Sequence, residues 1–174
     1  MNAAPKHLIL LRHASAQNDA SDRARPLSEQ GRGEAIRTGE ALGALGKRGF
    51  RPALLLTSPA RRARETVAGI HGALAGELRV EEDETLYLAS PGQLLDRLQA
   101  LPEGERQVLL VGHNPGLAEL VQLLVERAPA EVLLRASRGL APASFAALRI
   151  DGARWRDLAP GCAELVEFLR PGDR

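Results

Sequence analysis

The chain has 174 residues, 44% of them hydrophobic and 26% charged, the makeup of an ordinary globular protein able to bury about 70% of its unfolded surface. A net charge of +1 supplies no global field for nucleic acid or an acidic membrane, so neither is expected as a partner. The single cysteine, Cys162, excludes an intrachain disulfide or a thiolate metal cluster, and no apolar run approaches the roughly 18–20 residues of a membrane span. The apolar stretch near the N-terminus is too short for a signal peptide, so one cytoplasmic domain over residues 1–174 is expected.

Strands and helices alternate along the chain. "HLILLR", 7–12, is a short buried strand. Ser28 is placed to cap a helix carrying Ala35, Ile36, Gly39, Leu42 and Leu45 at helical spacing. "ALLLTS", 53–58, predicts a second buried strand, and 58–74 a helix with Ser58 as N-cap and Pro59 at its first position. A short strand near 77–81 and a helix over 91–101 follow. "RQVLLVGH" repeats the opening pattern of apolar strand and histidine, and Pro115 opens a helix to about Arg127. "SFAALRIDGARWRDL" predicts a β-hairpin turning at Asp151-Gly152. The expected fold is α/β, a three-layer sandwich whose mostly parallel central sheet is covered on both faces and has an antiparallel edge.

In open sheets of this kind, ligands bind outside the carboxyl ends of the strands. His13 and His113 each stand just past such an end. A lone histidine there is usually an ordinary surface or core residue. Two at one sheet edge reverse that weighting, whereas His7 and His71 keep the ordinary reading. In "SPARRARET", Arg61, Arg62 and Arg64 crowd the start of a helix whose amino end is already partly positive, which favours a nearby anion. Ala63, Val67, Ile70 and Leu74 form the core stripe, Arg61 and Glu65 face solvent, and Arg62 and Arg64 flank the stripe. Periodicity does not choose between those two arginines, and it makes both dispensable for stability. These pieces suit phosphoryl transfer without a metal or cofactor. A neutral imidazole attacks phosphorus, and arginine forks hold the phosphoryl oxygens. The Gly-rich phosphate motifs GxxxxGK[ST] and GxGxxG are absent.

"LRHA", "SPARRARET" and "LVGHNPG", with "RPLSEQGRGEA" after the first, make the chain resemble the histidine phosphatase superfamily, also called phosphoglycerate mutase-like. The resemblance runs from residue 8 to about 117. It implies His13 as nucleophile, Arg12 and Arg62 as phosphate ligands and His113 as second histidine, and it prefers Arg62 over Arg64. Two departures stand out. Ala14 replaces the signature glycine, so a left-handed backbone there would be strained. Many relatives also carry a glutamate proton donor after the third strand; Glu84 lies near that place, among four acids of "EEDETLYL" that no motif distinguishes.

Among small members the chain is similar to bacterial phosphohistidine phosphatases, which implies a phosphorylated protein domain as partner. The short span between Thr66 and His113 leaves little room for a lid over a small metabolite. A phosphatase or mutase of small phosphate esters is the alternative, with Glu84 or a neighbour then essential. A phosphate-recognising module without catalysis is a second.

Overall fold

The computed structural model describes residues 4–172, apart from residues 19, 20, 75 and 153. Apolar alternation along the strands sets its layers. Strands β1 (Lys6–Arg12), β2 (Leu54–Thr57), β3 (Arg79–Glu82) and β4 (Gln107–Gly112) pair in parallel in the order β3-β2-β4-β1. Leu8, Leu10, Leu54, Leu56, Val108 and Leu110 share one face of the sheet, while Ile9, Leu11, Leu55, Leu109 and Val111 share the other. Helices α1 (Glu29–Lys47) and α2 (Arg61–His71) cover the second face with Leu42, Leu45, Ala63, Val67 and Ile70. Helices α3 (Pro91–Gln99) and α4 (Gly116–Leu124) cover the first with Leu94, Leu98, Leu117, Leu120 and Leu124. The expected three-layer α/β sandwich is therefore formed.

The antiparallel part comes from β6 (Phe145–Ile150), which pairs with β1 on one side and with β7 (Ala163–Leu169) on the other. β6 is reversed relative to the other six strands. The outermost strand, β5 (Val125–Arg127), is parallel to β7 and was not anticipated, nor was the short helix α5 (Ala130–Ala136). α4 ends at Leu124 rather than near Arg127, because residues 125–127 join the sheet instead. The β6–β7 hairpin is wider than a two-residue turn. Gly152 does take a left-handed φ of 67°, but the chain then runs through a 3₁₀ turn, Trp155–Asp157, before β7 begins. Burial of Trp155, with its indole N–H donating to the Glu105 carbonyl, outweighs strand pairing there.

Helix starts follow their caps. Ser28 accepts from the Gly31 N–H, and Ser90 and Gln93 form a reciprocal capping box with Pro91 at the first helical position. The start of α2 is different. Ala60 is its N-cap and remains extended, and Ser58 does not cap it. Register then decides the function-bearing edge. Arg12 lies opposite Gly112 and Thr57 opposite Val111, so Ser58, His13 and His113 emerge at one level. The His13 N–H donates to the Gly112 carbonyl at 3.1 Å and the Ser58 N–H to Val111 at 3.0 Å, which locks that level.

Candidate active site

His13 sits one residue past β1 and is nearly buried. Its Nδ1 lies 2.8 Å from the Ala14 carbonyl. A carbonyl only accepts, so Nδ1 carries the proton and Nε2 keeps its lone pair. The Ala14 N–H donates to Thr66 Oγ1, whose hydroxyl donates to the Arg62 carbonyl at 2.7 Å, tying this loop to α2. The backbone of Ala14 is not left-handed, so glycine is not required there. Among the described residues the two non-glycine residues at positive φ are Leu88 (50°) and Ala143 (58°), a conformation that costs about 1–2 kcal/mol.

Arg62 joins the two histidines. Its side chain is buried, with Nε donating to His13 Nε2 at 3.2 Å and Nη2 lying 3.2 Å from His113 Nδ1. A guanidinium only donates, so His113 Nδ1 accepts and its Nε2–H donates to Ser58 Oγ at 2.7 Å. The two imidazoles thus hold opposite tautomers with ring centres 5.1 Å apart. Burial pulls the His13 pKa down to about 4, aided by the charges of Arg62, Arg12 and Arg25 and opposed by the bond to Ala14. Burial, then His13 and Arg62, brings His113 to about 3. Both rings are neutral at physiological pH.

The cleft in front of them has a volume of about 310 Å³ and is lined by Arg12, Arg25, Arg62, Asp22 and Asn114 as well as the histidines. Arg12 donates to the Leu140 carbonyl through Nη1 at 3.0 Å, and Asn114 donates to the same carbonyl at 2.8 Å. Arg12 Nε and Arg25 Nε are buried donors without a protein partner among the described residues. Asp22 is the cleft's carboxylate. It accepts from Tyr87 Oη, from Arg25 Nη2 at 2.7 Å and from Arg62 Nη2 at 3.1 Å, and its backbone carbonyl accepts from Arg62 Nη1. The Tyr87 hydroxyl, followed by the two arginines, holds the Asp22 carboxyl well below the usual carboxylate range against partial burial.

His13, Arg12, Arg62 and His113, four residues singled out in the sequence, meet in this cleft. Arg62 does so from a buried position, not from the flank outside the core on which its expected dispensability for stability rested. A flank of the apolar stripe becomes interior where the strand ends close over it. Arg64 is half exposed, 4.0 Å from Glu82, and takes no part. Glu84 is exposed and gives both carboxylate oxygens to Arg23. Sequence reasoning missed Asp22, Arg25 and Tyr87 as site residues and took Ser58 for a cap. Arg25 opens the "RPLSEQG" stretch and was open to notice, whereas Asp22 and Tyr87 carry no local signal.

Fold and site together define an α/β protein with a cleft lined by two neutral histidines and three arginines. The profile of the histidine phosphatase superfamily (branch 1) matches residues 8–87. An uncharacterized protein of Mycobacterium tuberculosis is 36% identical over 167 residues, covering 92% of this chain and 99% of that protein. The chain belongs to the histidine phosphatase superfamily, and its enzyme class is that of a phosphatase. Among solved structures, a candidate phosphohistidine phosphatase SixA from Nakamurella multipartitia is 27% identical with a TM-score of 0.77, covering 99% of each chain. The protein histidine phosphatase SixA complexed with tungstate is 26% identical with a TM-score of 0.74, covering 95% of this chain and 97% of that one.

Proposed function

We propose that this protein hydrolyses phosphohistidine on a phosphorylated protein domain in the cytoplasm, through a phosphorylated His13 and without a metal. The observation that carries the reading is the pairing of a neutral imidazole, lone pair on Nε2, with two buried arginine Nε donors in the same cleft that have no partner among the described residues. A tetrahedral oxyanion satisfies such donors, and a SixA relative is solved with tungstate, an anion of that shape.

His13 Nε2 attacks phosphorus and forms a P–N bond as the substrate's own P–N bond breaks. The substrate imidazole, protonated at its other ring nitrogen, takes the electron pair and leaves neutral. Water then attacks the phosphoryl group on His13, releasing inorganic phosphate and restoring the free ring. Arg12, Arg25 and Arg62 hold the phosphoryl oxygens and offset their charge. For Arg62 this means giving up its bond to His13 Nε2. Asp22, the one carboxylic acid among the described residues lining the cleft, is held ionised and donates no proton there. A leaving imidazole, whose conjugate acid has a pKa near 6.5, needs far less help from an acid than an alkoxide does. That favours a P–N substrate over a phosphate ester.

The test is turnover of a phosphohistidine-bearing carrier protein against a panel of sugar and acid phosphates, each with and without EDTA. The highest kcat/KM is expected on the carrier, unchanged by the chelator. An ester preferred over the carrier makes the protein a small-molecule phosphatase or mutase. Phosphate binding without any turnover makes it a recognition module. Activity removed by EDTA and restored by a divalent ion overturns metal independence.

A further inference from the structure

Leu88 is held in an uncommon backbone conformation at the mouth of the cleft. A solitary exposed leucine is ordinary on a protein surface. This one is 54% exposed, lines the cleft and has a φ of 50°, a region where bulky L-residues are outliers. Its neighbours impose that conformation from both sides. Tyr87 is fixed by its hydroxyl on Asp22 and stands edge-on to His113, ring centres 5.6 Å apart. Ala89 is buried, and its carbonyl lies so close to Gly116 that a Cβ there would come within 1.9 Å of it. Ser90 is committed to capping α3. Asparagine or glycine would fit the backbone at 88 better, and a polar side chain would suit its exposure better. Leucine is an unfavourable choice on both counts, which points to a use for its side chain at the cleft.

We infer that Leu88 is a specificity-determining residue: its side chain forms the apolar wall against which the substrate's imidazole ring lies while the phosphoryl group rests on the arginines. The inference builds on the phosphohistidine reading and names what recognises the ring. Ala16 and Pro142 are the other apolar residues lining the cleft, both smaller than leucine. The remaining lining groups offer the ring charge and hydrogen bonds, whereas Leu88 offers the face of an unsolvated leaving group a surface free of competing donors.

Leu88→Asn and Leu88→Gly both relieve the left-handed strain, so neither is expected to lower the thermal midpoint. Steady-state kinetics are measured on a phosphohistidine carrier, on free phosphohistidine and on phosphoramidate, which has a P–N bond and no ring. In both variants the kcat/KM ratio of each phosphohistidine substrate to phosphoramidate should fall on the order of 10-fold, carried by KM, the size expected for exposing one leucine contact. An unchanged ratio overturns the role of Leu88, as does a ratio that falls for the carrier but not for free phosphohistidine. A lowered midpoint with equal losses on all three substrates makes the residue structural and also overturns it. Wild-type protein that hydrolyses phosphoramidate but neither phosphohistidine overturns the functional reading itself, and this role with it.

Discussion

The ends of β1 and β4 carry similar sequences, an apolar run followed by a histidine, yet they hold their imidazoles in different ways. His13 is oriented by the carbonyl of the next residue in its own loop, and its outer nitrogen accepts from Arg62 Nε. His113 is engaged at both nitrogens by other elements, Arg62 on one side and Ser58 on the other. The same side chain at equivalent positions is thus held in two different ways. The first, the proposed nucleophile, has one nitrogen bonded to Arg62 alone; the second is held at both nitrogens. Orientation by the surrounding shell, more than residue type, divides the labour.

The largest expected effect tests that division directly. His13→Ala should lower kcat by about 10⁴-fold or more and abolish acid-labile phosphate on the protein after rapid quenching. His113→Ala should cost about 10²-fold, because it removes the acceptor that positions Arg62, while the label still forms on His13. Label on His113 in the wild type would reverse the assignment.

The arginines that flank one apolar stripe sharpen the contrast further. Arg62→Lys should lower kcat/KM by 10-fold or more, for a lost charge-assisted bond worth about 1.5–3 kcal/mol. It should also lower the denaturation midpoint, since lysine cannot bridge both histidines from a buried position. Arg64→Lys should change kcat/KM less than about twofold and leave the midpoint where it is, as expected for a half-exposed side chain. Equal losses from the two substitutions would dissolve the distinction.

The smallest effect is on pH dependence. The folded pKa values of about 4 for His13 and about 3 for His113 lie below the ordinary 6.5, so the unfolded chain takes up protons first. Their contribution to stability is complete above about pH 6.5 and declines as the pH falls toward 4. Denaturant titrations across that window should show the midpoint dropping, and His113→Gln should drop less than wild type. NMR titration of the ring carbons should find both imidazoles still neutral at pH 5.5. A ring that titrates near 6.5 would contradict its burial.

The amino-acid pattern by itself determined what is local in this protein. Strand runs such as Leu8–Leu11, the Ser28 and Ser90 caps and the apolar stripe of α2 are written in periodicity and nearest-neighbour chemistry, so the three-layer fold was legible from them. Two strand-end histidines and a helix beginning "SPARRARET" were legible for the same reason. Motif resemblance, rather than periodicity, singled out Arg62 over Arg64. Only the tertiary structure decided which groups face one another. Parallel register brings Ser58, His13 and His113 to one level, and closure of the α2 start against those strand ends buries Arg62 while leaving Arg64 in solvent. Asp22 and Tyr87, 65 residues apart, meet through a hydrogen bond that neither neighbourhood announces. Trp155 takes a buried position where a strand was expected, because its own surroundings in sequence do not show how much apolar contact the folded chain offers it. Periodicity reports which side of an element is apolar; which polar groups meet across the cleft depends on contacts between residues far apart in the chain, and those exist only once the layers are packed.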